Sequence, residues 1–120
     1  MPLRDGMTFV VKETKVPGGG TIYELRSGEE DDLGFSLAIA QEGAAEEHTH
    51  PNGSETYVAL REETKVRHHT GATVGLRPGE ALFIPAGVHH QITEAGEGNL
   101  VLVVSIPPYD PDDVVLVGKK

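Results

Sequence analysis

Residues 79–94 decide the fold; they read GEALFIPAGVHHQITE and place four largely apolar residues between two turn signals. Just upstream, Arg77-Pro78-Gly79-Glu80 has proline and glycine at the two central positions that a type II turn favours. The apolar run Ala81 to Ile84 follows, and Pro85-Ala86-Gly87 interrupts the chain before His90 begins another β-rich run. This stretch therefore predicts short strands separated by tight turns.

The rest of the chain repeats this pattern, because 15 glycines and 8 prolines punctuate its short apolar and β-branched runs. Phe35, Leu37 and Ile39 alternate with smaller residues, a period of two that is typical of a half-buried strand. We predict about nine or ten short strands, which must close into a sandwich or barrel because an open sheet would leave too many unpaired edges. The chain is therefore predicted to be all-β.

Two hairpins are expected along the chain. The first joins Thr56 to Arg61 with Thr64 to His69 across Glu62-Glu63, and the second joins His90 to Thr93 with Leu100 to Ile106 across a glycine-rich turn. Their apolar side chains, with those of the neighbouring strands, are expected in the core or in the lining of a cavity: Phe35, Leu37, Ile39, Phe83, Ile84, Ile92, Leu100 and Leu102.

Length and composition limit the possible functions. The 120 residues fit a single domain spanning residues 1–120. The chain has no cysteine, so any metal site must use imidazole and carboxylate ligands. A net charge of −9 repels polyanions, so no nucleic-acid or membrane partner is expected. The first residues show no apolar signal segment and no stretch is long enough to span a membrane, so we expect a cytoplasmic protein.

His48, His50 and Glu55 form a candidate metal-binding group. In an extended segment residues i and i+2 project to the same face, so both imidazoles can reach one ion about 2.0 to 2.2 Å away. Pro51-Asn52-Gly53 supplies a turn, after which Glu55 can return its carboxylate to that face. On these residues alone, a metal site and a set of solvated loop side chains are about equally acceptable readings.

Two longer spacings favour the metal site. Residues 43–55, GAAEEHTHPNGSE, resemble the first motif of the cupin superfamily, G-x5-H-x-H-x3,4-E-x6-G, with one residue fewer before His48 and with Glu62 in place of the closing glycine. We expect the missing glycine to force a different hairpin turn, because a non-glycine residue at positive φ costs about 1 kcal/mol.

The second cupin motif, G-x5-P-x-G-x2-H-x3-N, is similar to the pattern formed by Gly79, Pro85, Gly87 and His90, with Glu94 replacing the final asparagine. The resemblance implies a double-stranded β-helix, or jelly-roll barrel. It also implies one divalent metal ion held by four ligands: His48, His50, Glu55 and His90. Three imidazoles and one carboxylate suit Fe, Mn, Ni, Cu or Zn, and this ligand set does not choose among them.

The resemblance also implies a class of function. We expect a metal-dependent enzyme that acts on a small organic molecule, with an oxygen-using dioxygenase as the first choice. The alternatives are a Lewis-acid isomerase, lyase or epimerase using the same metal, and a cupin that binds a metal or ligand without turnover. Family analogy suggests a homodimer formed by N-terminal strand exchange or by sheet extension.

Other polar residues receive secondary roles. Tyr57 and Arg61 share the parity of Glu55 along the strand, so both are predicted to face the interior beside the metal. His89 should point away from His90, and His68 is expected to be a surface or cross-strand residue together with His69. The acidic runs, residues 29–32 and 110–113, are expected to be solvated loops.

Overall fold

The computed structural model describes residues 8–15, 20–41, 47–68 and 71–117. Within these ranges the chain is mainly β-strand, which confirms the all-β prediction. The elements are β1 (Val10–Lys15), β2 (Thr21–Arg26), α1 (Glu30–Leu33), β3 (Ser36–Gln41), β4 (His48–Thr49), β5 (Ser54–Arg61), β6 (Thr64–His68), β7 (Thr73–Leu76), β8 (Ala81–Ile84), β9 (His90–Ala95), β10 (Leu100–Ile106), a 3₁₀ helix (Pro111–Asp113) and β11 (Val115–Leu116). Gly43 of the first motif and His69 lie outside the described residues. None of the described helices is long and apolar enough to cross a membrane.

The strands form two antiparallel sheets. The six-stranded sheet has the order β1-β2-β3-β10-β5-β8, and the five-stranded sheet has the order β11-β4-β9-β6-β7. The chain passes repeatedly from one sheet to the other, as in the predicted jelly roll. Consequently, residues from distant parts of the sequence line the space between the sheets.

Both predicted hairpins are wrong. Strand β5 pairs with β10 and β8, so both of its edges are occupied and β6 pairs with β7 and β9 in the other sheet. Strand β10 likewise has β3 and β5 on its two edges, which leaves no edge for β9. The connections after β5 and β9 therefore cross between the sheets. A short loop between two strands is compatible with a hairpin or with a crossing between sheets. Here the crossing results, because other strands already occupy the edges that a hairpin would need.

The two turns that flank β8 form as the sequence predicts. Gly79 has a φ of 92°, and the Glu80 N–H donates to the Arg77 carbonyl oxygen at 2.8 Å, as expected for glycine at the third position of a type II turn. Gly87 has a φ of 82°, and its N–H donates to the His50 carbonyl oxygen at 2.9 Å. The second turn thus ties one cupin motif to the other.

Glu62 stands where the first motif closes with glycine, and its φ is 60°. The segment is a crossing between sheets rather than the different hairpin turn that we expected, and the glutamate itself adopts the left-handed conformation. Gly96 packs closely beside it, since a Cβ at that glycine would lie 3.1 Å from the Glu62 Cβ. The exposed glutamate therefore carries a backbone strain that glycine or asparagine would not.

The core lies between the sheets and consists of inward-facing strand residues, which alternate with outward-facing ones: Tyr57, Ala59, Val66, Leu76, Ile84, Val101 and Val103. Of the residues predicted for the core, Ile84 belongs to it and Ile92 packs against it. Phe83 is instead 58% exposed, because the neighbouring Ile84 faces inward. The same alternation turns Leu102 outward, between Val101 and Val103.

We predict that Glu62→Asn stabilises the protein by about 0.5 to 1 kcal/mol, because asparagine tolerates the left-handed conformation better than glutamate. Glu62→Gln is the matched control, since it removes the same charge without relieving the strain. Urea unfolding of the three proteins measures the difference. An asparagine variant that is no more stable than the glutamine variant would contradict the prediction.

Candidate metal centre

His48, His50, Glu55 and His90 come together between the sheets. Each offers one donor atom, and these four atoms all lie within 4.8 Å of one another. His50, Glu55 and His90 are buried, and His48 is partly buried. The fold thus brings together the four residues named from the sequence, while their role as ligands of a metal ion stays a prediction.

Backbone pairing places the four side chains. His48 on β4 is the register partner of His90 on β9, and His50 follows directly after β4. Glu55 lies near the start of β5 in the opposite sheet, where its register partners are Ser105 and Ile84. The cluster therefore spans both sheets.

One carboxylate oxygen lies at the centre of the cluster. Glu55 Oε1 is 3.1 Å from His50 Nε2 and 3.0 Å from His90 Nε2. The same oxygen accepts a hydrogen bond from the Tyr57 hydroxyl at 3.2 Å. The Tyr57 ring lies edge-on to that of His90, with the centroids 5.8 Å apart. Tyr57 therefore orients Glu55 from within the core.

The ring nitrogens of His90 have different partners. Its Nδ1 lies 3.0 Å from the Val88 carbonyl oxygen, which can only accept, so we assign the Nδ1 proton to this bond. In a neutral ring, Nε2 then presents a lone pair to the carboxylate of Glu55. Two electron-rich atoms 3.0 Å apart require a proton or a cation between them. A metal ligand whose other ring nitrogen donates to a carbonyl is the usual arrangement of a histidine metal site.

His50 Nε2 supports the same assignment. The atom is buried and, although it lies 3.1 Å from Glu55 Oε1, it makes no hydrogen bond of acceptable geometry among the described residues. Buried polar atoms rarely lack partners, so a buried ring nitrogen without a hydrogen bond points to a water or an ion as its partner. Three imidazoles and a carboxylate are the donor set that a divalent transition metal prefers, and the residues therefore fit such an ion.

The cluster also sets the protonation states of its members. Burial disfavours the charged form of Glu55, but the contacts with the rings of His50 and His90 outweigh burial and hold the pKa of the carboxyl well below its usual range. Burial likewise lowers the pKa of His50, yet its contact with Glu55 prevails and raises that pKa above its ordinary value. Burial, reinforced by the charge of Glu55, raises the pKa of Tyr57. Near neutral pH, Glu55 is therefore an anion and Tyr57 a proton donor.

Arg61 does not join the cluster, although the parity of β5 predicts that it would. The side chain is exposed, and Arg61 is absent from the described residues that line the cavities beside the cluster. The register explains the difference: Val101 pairs with Ala59 but Leu100 pairs with Arg61, so Leu60 is an additional residue on β5. Such a bulge interrupts the period of two that the prediction assumed.

The two other described histidines, His68 and His89, do not belong to the cluster. His89 is exposed, as expected. His68 is a cross-strand residue, the register partner of His90 on β6, and it is partly buried.

Two adjoining cavities meet at the cluster, and both are lined by His50 and Glu55. The inner cavity, of about 230 Å³, includes His48 and Tyr57 in its lining, and the outer cleft has a volume of about 550 Å³. Tyr109 lines both, with its ring centroid 6.2 Å from that of His50. The cluster is therefore accessible to a small molecule.

The sequence reasoning missed Tyr109 and misread the two acidic runs. Glu30 is 7% exposed, and its carboxylate accepts hydrogen bonds from the backbone N–H and the hydroxyl of Ser27. Asp113 accepts from both the backbone and the side-chain nitrogen of Asn52. Both runs thus border the outer cleft rather than being simple solvated loops. The one signal for Tyr109 is its position directly after Pro107-Pro108, where the chain direction is restricted.

Comparison with known proteins gives one family match and several structural matches. A family model described as "Cupin domain" matches residues 36–106. Among solved structures, the chain is similar to Pac13 of Streptomyces, described as a nucleoside dehydratase, with a TM-score of 0.72 and 15% identity over 89% of this chain and 84% of that chain. It is also similar to oxalate decarboxylase from Bacillus subtilis (TM-score 0.72, 17% identity, 89% of this chain and 30% of that one). A protein from Planctomyces limnophilus matches with a TM-score of 0.70 and 23% identity over 95% of this chain and 96% of that one. No curated protein matches significantly. At these identities, the structural matches show the fold alone.

We predict that His50→Ala and His90→Ala each weaken the binding of Mn(II) or Zn(II) by more than about 100-fold, because each removes a directly coordinating nitrogen. His89→Ala is the matched control, as it removes an exposed neighbouring imidazole. Metal content after dialysis and calorimetric titration measure the effect. Stoichiometric metal retained by both variants would refute the ligand assignment.

The same titration should depend on pH. The raised pKa of His50 means that its ring keeps a proton to a higher pH than an ordinary imidazole, and this proton must leave before a metal binds. Affinity should therefore rise with pH through neutrality and fall below about pH 6.5. A constant affinity between pH 5.5 and pH 8 would contradict coordination by histidine.

Proposed function

Because the chain belongs to the cupin family, we propose that it is a metal-dependent enzyme acting on a small organic molecule. In this proposal one divalent ion is held by His48, His50, Glu55 and His90. One observation carries the proposal: the buried ring nitrogens of His50 and His90 both face the same carboxylate oxygen of Glu55. Glu55 itself lines both cavities.

The first proposed reaction is that of an oxygen-using dioxygenase. A bound divalent ion would supply open coordination positions for a substrate, Lewis-acid polarisation and, if it is Fe(II) or Mn(II), activation of O₂. The protein holds the substrate in the inner cavity, where apolar side chains such as Ile22, Ile92 and Val103 contact its body. Tyr57 keeps its proton and fixes the orientation of Glu55. Tyr109 lies at the junction with the outer cleft, where its hydroxyl, whose pKa is raised by burial and by nearby carboxylates, is available as a hydrogen-bond donor.

A Lewis-acid lyase, isomerase or epimerase is the alternative. It is favoured by two proteins of similar fold, a nucleoside dehydratase and an oxalate decarboxylase. In this reaction Tyr57 would take part as a protonated hydroxyl rather than as the base, because burial raises its pKa. Arg61 has no part in either proposal, since it is exposed at the far end of β5. A cupin that binds a metal or ligand without turnover is the third reading.

Oxygen consumption distinguishes these functions. The protein is loaded with Fe(II) without air and mixed with oxygen and a panel of small diketones, phenols and thiols. We expect O₂ uptake matched by loss of one compound, and a decrease in kcat of about 10- to 100-fold in Tyr57→Phe, which keeps the ring but removes the hydroxyl donor. Product formation without O₂ uptake would overturn the dioxygenase in favour of the lyase or isomerase. Tight metal binding with no consumption of any compound would support the third reading, a protein that binds a metal or ligand without turnover.

We also propose that the protein is a homodimer. Strand β1 lies at one edge of the six-stranded sheet, and all six of its residues are exposed. The register carries an uncharged row across the outer face of the whole sheet: Val11, Leu25, Leu37, Val104, Thr56 and Phe83. Two such rows can pack on each other and carry no charge of their own that would select another partner, so a second copy of the chain is the proposed occupant.

Val11→Glu places a charge in this row and should convert the dimer into a monomer. Val10→Glu adds the same charge at the preceding residue of β1, which faces the other side of the sheet, and should leave the dimer intact. Sedimentation equilibrium measures both masses. A monomeric wild-type protein, or a dimer that survives Val11→Glu, would contradict the proposed interface.

A further inference from the structure

The walls of the two cavities carry much more negative than positive charge. Arg26 is the one arginine or lysine among the described lining residues. The carboxylates that share these walls are Glu24, Glu30, Asp31, Glu55, Asp110 and Asp113. A divalent ion would neutralise Glu55 and one further carboxylate, which still leaves the walls net negative.

Arg26 is already paired. Its guanidinium lies 3.4 Å from Glu24 Oε1 and 3.8 Å from Glu30 Oε1. Glu30 is fixed in this position, because its carboxylate also accepts hydrogen bonds from Ser27 and from the Gly28 N–H. A substrate carboxylate that approached Arg26 would also meet the two glutamates whose charge this guanidinium already offsets. The one cation among the described lining residues is therefore already offset by carboxylates, which weakens its attraction for an anionic ligand.

The inner cavity adds a second requirement. Its lining is mainly apolar near the cluster and includes Ile22, Ala38, Ala40, Ile92 and Val103. The buried Nε2 of His50, which lacks a hydrogen-bond partner among the described residues, belongs to a side chain that lines both cavities. An occupant therefore meets the cluster that would hold the metal at one end, an apolar wall around its body and carboxylates at the entrance.

From this arrangement we infer the substrate class: an uncharged or cationic small molecule with a metal-chelating end and an apolar body. A substrate carrying a carboxylate or phosphate away from the metal is disfavoured. This inference rests on the proposed metal-dependent function, since the chelating end needs the ion.

Three catechols of similar size test the charge requirement. 4-Ethylcatechol, dopamine and 3,4-dihydroxyphenylacetate share one chelating end and carry a neutral, a cationic and an anionic tail. Calorimetric titration into the zinc-loaded protein at low salt measures their affinities, because zinc avoids redox chemistry. We expect 3,4-dihydroxyphenylacetate to bind at least about 10-fold more weakly than the other two compounds, and we expect the difference to shrink at high salt.

A matched pair of variants assigns the effect to the cavity wall. Asp31 lines the outer cleft, whereas Asp32, the next residue of α1, is also exposed but lines neither cavity. Asp31→Lys should narrow the gap between the anionic and neutral catechols by about threefold, and Asp32→Lys, with the same change in net charge, should leave it nearly unchanged.

The possible results separate this inference from the proposed function. If the protein takes up no zinc, both fail together. If zinc binds but the anionic catechol binds as tightly as the neutral one, or no catechol binds, the substrate class is wrong while the metal centre stands. Equal effects of the two aspartate variants would likewise overturn the role assigned to the cavity wall.

Discussion

A buried carboxylate must be compensated, and the site depends on how this fold compensates Glu55. An ion of this size costs several kcal/mol to remove from water unless charges or hydrogen bonds replace the solvent. Here a single oxygen contacts two imidazoles and a phenol within 3.2 Å. These groups come from β5, from β9 and from the segment after β4. The cluster consequently forms only when the two sheets close on each other.

The fold supports this arrangement at several points. The His48–His90 register couples two of the rings through the backbone, and the Gly87 N–H anchors the loop of His50. The C-terminal segment closes the other side: β11 pairs with β4, and Asp113 accepts hydrogen bonds from Asn52. This segment also brings Tyr109 to the cavity. Closure of the barrel therefore builds the cluster and the entrance to it together.

Local patterns in the sequence predicted the strands, and the resemblance of two short segments to the cupin motifs predicted the convergence of the four donor residues. The alternation of apolar residues, the turn at Gly79 and the two motif spacings each depend on a short segment of sequence. Such features are the same whichever strands pair in the folded chain. The pairing of strands was not predictable in this way, because the hairpins across Glu62 and Gly96 would have satisfied the same local rules. The bulge at Leu60 removed Arg61 from the interior, and a single sequence gives no local sign of it. Tyr109 and Asp113 reach the cavity only through the tertiary path of the C-terminal segment.

The electrostatic character of the site follows from the same tertiary arrangement. The acidic residues at the entrance come from both ends of the chain, and their combined effect appears only once Arg26 is seen to be paired. The central claim, however, is that the four donors hold one metal ion. X-ray diffraction from crystals of the zinc-loaded protein, measured on both sides of the zinc absorption edge, tests it most directly. The account predicts one anomalous peak about 2.0 to 2.2 Å from three imidazole nitrogens and one Glu55 oxygen. A zinc ion bound only elsewhere, with the cluster vacant, would contradict it.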